Sequence, residues 1–266
     1  MKAKHLFFLT AVTFQSCYKF EYHAYDGRIE GDVGINARNI ARIEDSCRGK
    51  TTIRFAAMGD TQRRYDETAD FVVALNSRSD VDFVIHGGDI SDFGLTREFM
   101  WMRDIMSGLE VPYVALLGSH DCLANGAAIY RKVFGEENFS FLAGSAKFVC
   151  LNTNAPELDD LHPVPDLQFM ETRLSERSAG HEQTVVAMHA PPHSEPFNNS
   201  VAAAFQQTIK KFPGLQLCLN AHEHRVSAED RFGDGVIYHG SPDIAKRQYL
   251  LFTLTSDGYS CEVVQF

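Results

Sequence analysis

Five short clusters of acidic and imidazole side chains punctuate the chain. Asp60 and Gln62 lie in Met58-Gly59-Asp60-Thr61-Gln62, Asp89 and Asp92 in Gly87-Gly88-Asp89-Ile90-Ser91-Asp92, and His120 in Gly118-Ser119-His120-Asp121. His189 opens His189-Ala190-Pro191-Pro192, and His222 and His224 share Asn220-Ala221-His222-Glu223-His224. Carboxylate and imidazole are the donors that suit hydrolytic divalent cations such as Mn, Fe or Zn, and no cysteine thiolate falls inside any cluster. His222 and His224 are two residues apart, so on extended backbone both point the same way and each can serve one of two adjacent ions. Glycines beside the acids let the chain turn and approach an ion without a Cβ in the way.

Such clusters need a scaffold that brings them together. From residue 51 onward, short β-branched or aromatic runs alternate with longer amphipathic ones, the pattern of an α/β protein. Apolar runs at 53–58, 81–86, 111–117, 146–151, 184–188 and 215–219 read as buried strands. Segments 66–77, 96–107, 126–134, 166–177 and 200–211 read as helices, with Thr96 ahead of Glu98 and Asp166 after Pro165 as helix starts. The tail, at 225–231, 235–239, 248–254 and 259–266, is broken by Gly, Pro and Asp and suggests an antiparallel finish. Every reactive cluster follows a strand. The carboxyl ends of strands line the ligand crevice in open α/β sheets, so the five clusters are expected to converge on one site.

At these residues the sequence resembles the calcineurin-like metallophosphoesterases, whose motifs run D-x-H, G-D-x-x-D, G-N-H-[DE], H-x-P and G-H-x-H in this order. The resemblance runs from Thr51 to the C-terminus and implies an α/β sandwich of two mixed β-sheets flanked by helices. It implies two divalent metal ions, Mn, Fe or Zn. Asp60 and His224 then look like ligands of the first ion, Asp89 like the carboxylate bridging both, and His189 and His222 like ligands of the second. Gln62 stands where the commonest motif has a histidine at the first ion, and Ser119 where it has an asparagine at the second. His120 looks like the catalytic histidine, and Asp92 like the partner that orients it. The implied reaction is hydrolysis of a phosphate mono- or diester by a hydroxide bridging two ions about 3.5 to 4 Å apart, with His120 assisting the leaving group.

Gln62 still offers a neutral amide oxygen, whereas Ser119 is a shorter and poorer donor. Losing one ligand from each site leaves open a centre that holds only one ion. It also leaves open a catalytically impaired metallophosphoesterase-fold protein that binds a phosphate ligand or a protein partner, and a surface scaffold with a vestigial site. Arg63 and Arg64 are placed either to contact substrate phosphate or to form a solvated positive edge. His86 and His239 read as packed or hydrogen-bonded rather than as ligands, and in the run 99–102 core packing is the better reading.

The 25 Lys and Arg against 35 Asp and Glu give a formal charge of −10, which disfavours an extended nucleic-acid surface but allows a small phosphate ester held by metal ions. The six cysteines form no CxxC pair, and Cys150 and Cys218 sit in apolar runs as buried thiols. Lys2 and Lys4 precede an apolar stretch from Leu6 to Phe14, far short of the roughly 20 residues of a membrane-spanning helix. Residues 1–16 therefore read as a signal peptide, and Phe14-Gln15-Ser16-Cys17 resembles a lipoprotein cleavage box with Cys17 as the lipidated first residue. The expectation is an exported, membrane-anchored lipoprotein of the cell envelope, touching membrane only through its lipid. Residues 17–50 read as a tether or first hairpin, and 51–266 as the catalytic domain. Substrate identity and oligomeric state are open.

Overall fold

The computed structural model describes residues 23, 25–155, 163–176 and 181–266. The expected signal peptide and Cys17 lie outside the described residues. Strands β1 (Ile53–Met58), β2 (Phe83–His86) and β3 (Tyr113–Ala115) are joined by helices α2 (Tyr65–Asn76) and α3 (Thr96–Met106) and pair in parallel. Their continuous apolar runs, buried on both faces, are what a covered parallel sheet demands. The tail returns to this sheet: β10 (Gln248–Thr255) pairs antiparallel with β1, and β11 (Gly258–Gln265) with β10, giving the order β11-β10-β1-β2-β3.

The second sheet has the order β4-β5-β6-β7-β9-β8. Its members are β4 (Phe139–Ala143), β5 (Ala146–Leu151), β6 (Gln183–Met188), β7 (Leu215–Asn220), β8 (Ser227–Asp230) and β9 (Ile237–Gly240). β5, β6, β7 and β9 run parallel, and the edge strands β4 and β8 antiparallel. Phenylalanines fill the space between the sheets: Phe55 stacks on Phe252 at 4.9 Å and meets Phe148 edge-on at 5.2 Å. The outer face of the first sheet is covered by α2, α3 and α4 (Gly126–Val133), and that of the second by α5 (Leu167–Ser175) and α6 (Ala202–Ile209). The result is the expected α/β sandwich of two mixed sheets flanked by helices.

The segment expected to be a tether or hairpin differs: residues 35–46 form helix α1 (Ile35–Ser46), which packs on β3 and β4. Asn36 exchanges two 2.9 Å hydrogen bonds with the backbone of Ala115, and Asn39 donates to Tyr113 O at 2.8 Å. α1 thus satisfies the open edge of β3. Ahead of it, the buried Arg103 side chain donates to the carbonyls of Glu30 and Asp32 and fastens that stretch to α3. In α3, Phe99 and Met102 are buried while Trp101 is partly exposed, as core packing requires. Cys150 and Cys218 are buried free thiols, and no disulfide forms among the described residues. No helix among them is long and apolar enough to cross a membrane.

Candidate metal centre

All five reactive clusters meet at one rim of the sandwich. Asp60 follows β1, Asp89 follows β2, Ser119 and His120 follow β3, His189 follows β6, and His222 and His224 follow β7. The backbone reverses sharply to turn the side chains inward. Asp60, Asp89, His222 and His224 all have left-handed φ, at 53°, 55°, 67° and 54°. The two histidines are therefore not on extended backbone as their spacing suggested, yet both still face the centre. Each such residue costs on the order of 1 kcal/mol, strain that a folded scaffold sustains only where it is over-determined. Gly118 permits the closest approach: a Cβ there would lie 2.0 Å from Asp89 N and 2.2 Å from Asp89 Oδ1.

Asp89 is the hub. Its Oδ1 accepts from the His120 backbone N–H at 2.9 Å and from Ser119 Oγ at 3.4 Å, and faces His189 Nε2 at 3.3 Å. Gln62 Nε2 lies 3.5 Å from its Oδ2. Two groups of three donors share this carboxylate, Asp89-His189-His222 and Asp60-Asp89-His224, with ligand atoms within 4.8 Å of one another in each. Asp60 is 1% exposed, and neither of its oxygens has a hydrogen-bond partner; Gln62 Oε1 is likewise buried without one. A buried carboxylate whose nearest donor, His224 Nε2, stands 3.4 Å away is costly unless a cation completes it. The residues therefore fit two divalent ions, and Asp60 is the clearest sign of it.

Electrostatics support this. Burial pushes the Asp60 carboxyl above its ordinary range, only partly offset by His224 Nε2 at 3.4 Å. Burial also acts to raise Asp89, but His189 outweighs it and holds the group well below the usual carboxylate range. Burial alone would lower His189; the Asp89 carboxylate raises it to about 9. Burial and the nearby His189 push His222 down to about 4, keeping its ring neutral and able to donate a lone pair. A second contact orients the His189 ring, whose Nδ1 lies 2.9 Å from Gly87 O, while His224 Nδ1 faces Asp243 Oδ2 at 3.8 Å, beyond hydrogen-bond reach.

His120 Nδ1 lies 2.9 Å from the backbone carbonyl of Asp92, not from its carboxylate, which is 3.7 Å away. The Asp92 carboxylate instead takes Arg63 Nε at 2.5 Å. The pairing of His120 with Asp92 is present, but through the main chain. Arg63 is accordingly an ion-pair partner through Nε, on a side chain that is 66% exposed. Asp121, which the sequence reading passed over, is fully buried and accepts from Ile90 N, Ser91 N, Ser91 Oγ and Gly118 N, tying the Asp89 loop to the His120 loop. Burial and the Asp89 charge raise it to about 6. The signal was its place beside His120. His86 bonds Thr61 Oγ1 at 2.9 Å and His239 bonds Tyr259 OH at 2.9 Å, so both are packed and hydrogen-bonded as expected.

A two-sheet sandwich carrying paired Asp/His triads on a shared carboxylate, at the ends of its parallel strands, defines a metallophosphoesterase. Residues 53–226, more than half of the chain, match the family model of the calcineurin-like phosphoesterases, and the protein belongs to that family. It is similar to a 3',5'-cyclic-nucleotide phosphodiesterase of Nostoc sp., 24% identical over 172 residues, which cover 62% of this chain and 63% of the relative. The chain thus spans under two thirds of the length of the curated relatives it matches. Among solved structures, a dimetal phosphatase from Danio rerio aligns over 80% of this chain and 99% of its own, at 12% identity and TM-score 0.58. GAP50, the anchor in the inner membrane complex of Plasmodium, aligns over 81% of this chain and 85% of its own, at 15% identity and TM-score 0.62. At these identities the likeness is one of fold.

Proposed function

We propose that the protein is a metal-dependent phosphodiesterase acting on a nucleotide-type ester, and that His120 assists the leaving group. The observation that carries the reading is the buried Asp60 carboxylate, approached only by His224 Nε2 at 3.4 Å, beside Asp89, whose oxygens already serve both triads. In this reading Asp60, Gln62, Asp89 and His224 hold one ion, and Asp89, Ser119, His189 and His222 the other. When bound, the ions would acidify water and neutralise phosphate charge. The chain's own residues do the rest. The Asp92 carbonyl accepts a hydrogen bond from His120 Nδ1–H, which orients the ring so that Nε2, when it carries the second proton of the imidazolium, can give that proton to the departing oxygen. Asp121 holds the two loops in register, so that Asp89 and His120 keep their mutual position.

The cyclic-nucleotide activity in the name of the Nostoc relative supports a diester substrate. A second reading, an impaired centre that binds phosphate without turning it over, is favoured by one contact: Ser119 Oγ donates to Asp89 instead of standing free to bind an ion. One experiment separates them. The purified chain is loaded with Mn or Zn, its metal is quantified, and the same sample is assayed with 3',5'-cyclic AMP and bis-p-nitrophenyl phosphate. Turnover at about one to two ions per chain supports the enzyme; stoichiometric metal without turnover supports the impaired centre, and no metal leaves only the scaffold. Export with a lipid on Cys17 belongs to the same proposal; incorporation of labelled palmitate that Cys17→Ala abolishes is its test.

A further inference from the structure

Two large apolar side chains stand exposed beside His120. Phe93, directly after Asp92, is 55% exposed, and Leu123, three residues beyond His120, is 46% exposed. Their loops touch: a Cβ on Gly94 would lie 2.1 Å from Leu123 O. They therefore belong to one surface, and Asp92, whose carbonyl holds His120, borders it.

The Phe93 loop is held, not loose. Phe93 N–H and Leu95 N–H both donate to Glu98 Oε2, at 2.9 and 3.1 Å, and Gly94 N–H donates to Ser91 Oγ at 3.2 Å. The Arg63 guanidinium stands 5.6 Å from the centre of the Phe93 ring, and Asp92 fixes that guanidinium in turn. Arg63 itself carries a left-handed φ of 65°, so the chain sustains backbone strain to put a cation there. An aromatic ring fixed in this way pays little conformational entropy when a second ring stacks on it. A compact alkyl or polyhydroxylated ester would leave it wet.

We infer that Phe93, backed by Arg63 and extended by Leu123, is a specificity-determining platform for a flat aromatic group on the leaving-group side of the phosphate. A nucleobase and a simple aryl ring share this chemistry. The inference rests on the phosphoesterase reading above and deepens it by naming the residues that select the group beside the phosphate.

The test uses binding, so that it does not depend on turnover. The full Mn-loaded chain is titrated calorimetrically with phenylphosphonate and with methylphosphonate, which carry the same charged group and differ in the ring. Wild type should prefer the phenyl compound by about tenfold, the scale of one aromatic pair. Phe93→Ala should bring the preference close to unity, and Phe93→Tyr should restore it. Titration with adenosine 5'-monophosphate against ribose 5-phosphate then separates a base from a plain aryl ring as the preferred occupant. Phe93 is exposed, and circular dichroism checks that the variants are folded. Equal preference in wild type and Phe93→Ala overturns the platform and leaves the phosphoesterase reading intact. Failure of both phosphonates to bind metal-loaded protein overturns both.

Discussion

The imidazole of His120 is held by the main chain of Asp92, at 2.9 Å from Nδ1 to the carbonyl oxygen, while the carboxylate of the same residue is committed to Arg63. A carbonyl cannot ionise, so the restraint on His120 does not vary with pH. It also separates two mutations that a carboxylate-histidine pair would join. His120→Ala should lower kcat by about 10² to 10⁴ with metal retained. Asp92→Asn keeps the carbonyl and should cost less than about tenfold. Steady-state kinetics with metal quantified on both variants checks this, and equal losses would show that the carboxylate is what matters.

Metal binding should compete with a proton on His189. In the metal-free protein its pKa is raised to about 9, against about 6.5 for an ordinary histidine. The folded form therefore binds this proton more tightly than the unfolded one. The stability it contributes is fully present below pH 6.5 and is lost as pH rises through 9, an effect on the order of 3 kcal/mol. An ion needs the neutral ring, so apparent affinity at the second site should climb by about tenfold per pH unit between 6.5 and 9. Chelated protein melted across that range should show the first trend, and Mn titrations at three pH values the second. Affinity flat with pH would contradict the assignment.

Ser119 Oγ stands 3.4 Å from Asp89 Oδ1 and 3.5 Å from His189 Nε2, at the edge of the second triad. Ser119→Asn should add a carbonyl donor there and tighten the weaker ion by about tenfold, as supporting ligands typically do. A competition titration against a chromogenic chelator measures it. Unchanged affinity would mean that serine is not the weak point of the centre.

Asp121 accepts from four donors in two loops, all within 3.2 Å. Asp121→Ala would leave buried N–H groups unpaired and should destabilise the fold by about 3 kcal/mol. The urea midpoint reads this directly. A cost under about 1 kcal/mol would mean that the loops hold without it.

The rim on which the reactive clusters meet was legible because each cluster follows an apolar run of strand length, and strand ends share an edge in α/β folds. The bounds of β1 and β5 were legible for the same reason. Helix α1 was not, because its inward face carries Asn36 and Asn39, which pair with backbone carbonyls and blank the apolar periodicity. β4 was not legible because its run Phe139–Ala143 is short and interrupted by Ser140, although Gly144-Ser145 is a turn of the kind that folds a strand back on its neighbour, here β5. Nor does local pattern tell that β10 crosses back to pair with β1, since that contact joins residues about 200 apart in the chain. At the site, the family resemblance paired Asp92 with His120 but could not say whether carbonyl or carboxylate makes the bond. That depends on Arg63, which the motif does not contain.

The ligand set straddles the gap between the two sheets: Asp60 and Asp89 hang from one, and His189, His222 and His224 from the other. Bound ions would rivet the sandwich along that lip, whereas its interior is held by an apolar layer of phenylalanine rings and aliphatic side chains. Extraction of the ions should therefore unzip the molecule from the lip inward. Hydrogen exchange would quicken first in the turns after β1 and β7, while the amides around Phe55 and Phe148 stay locked until the whole chain opens.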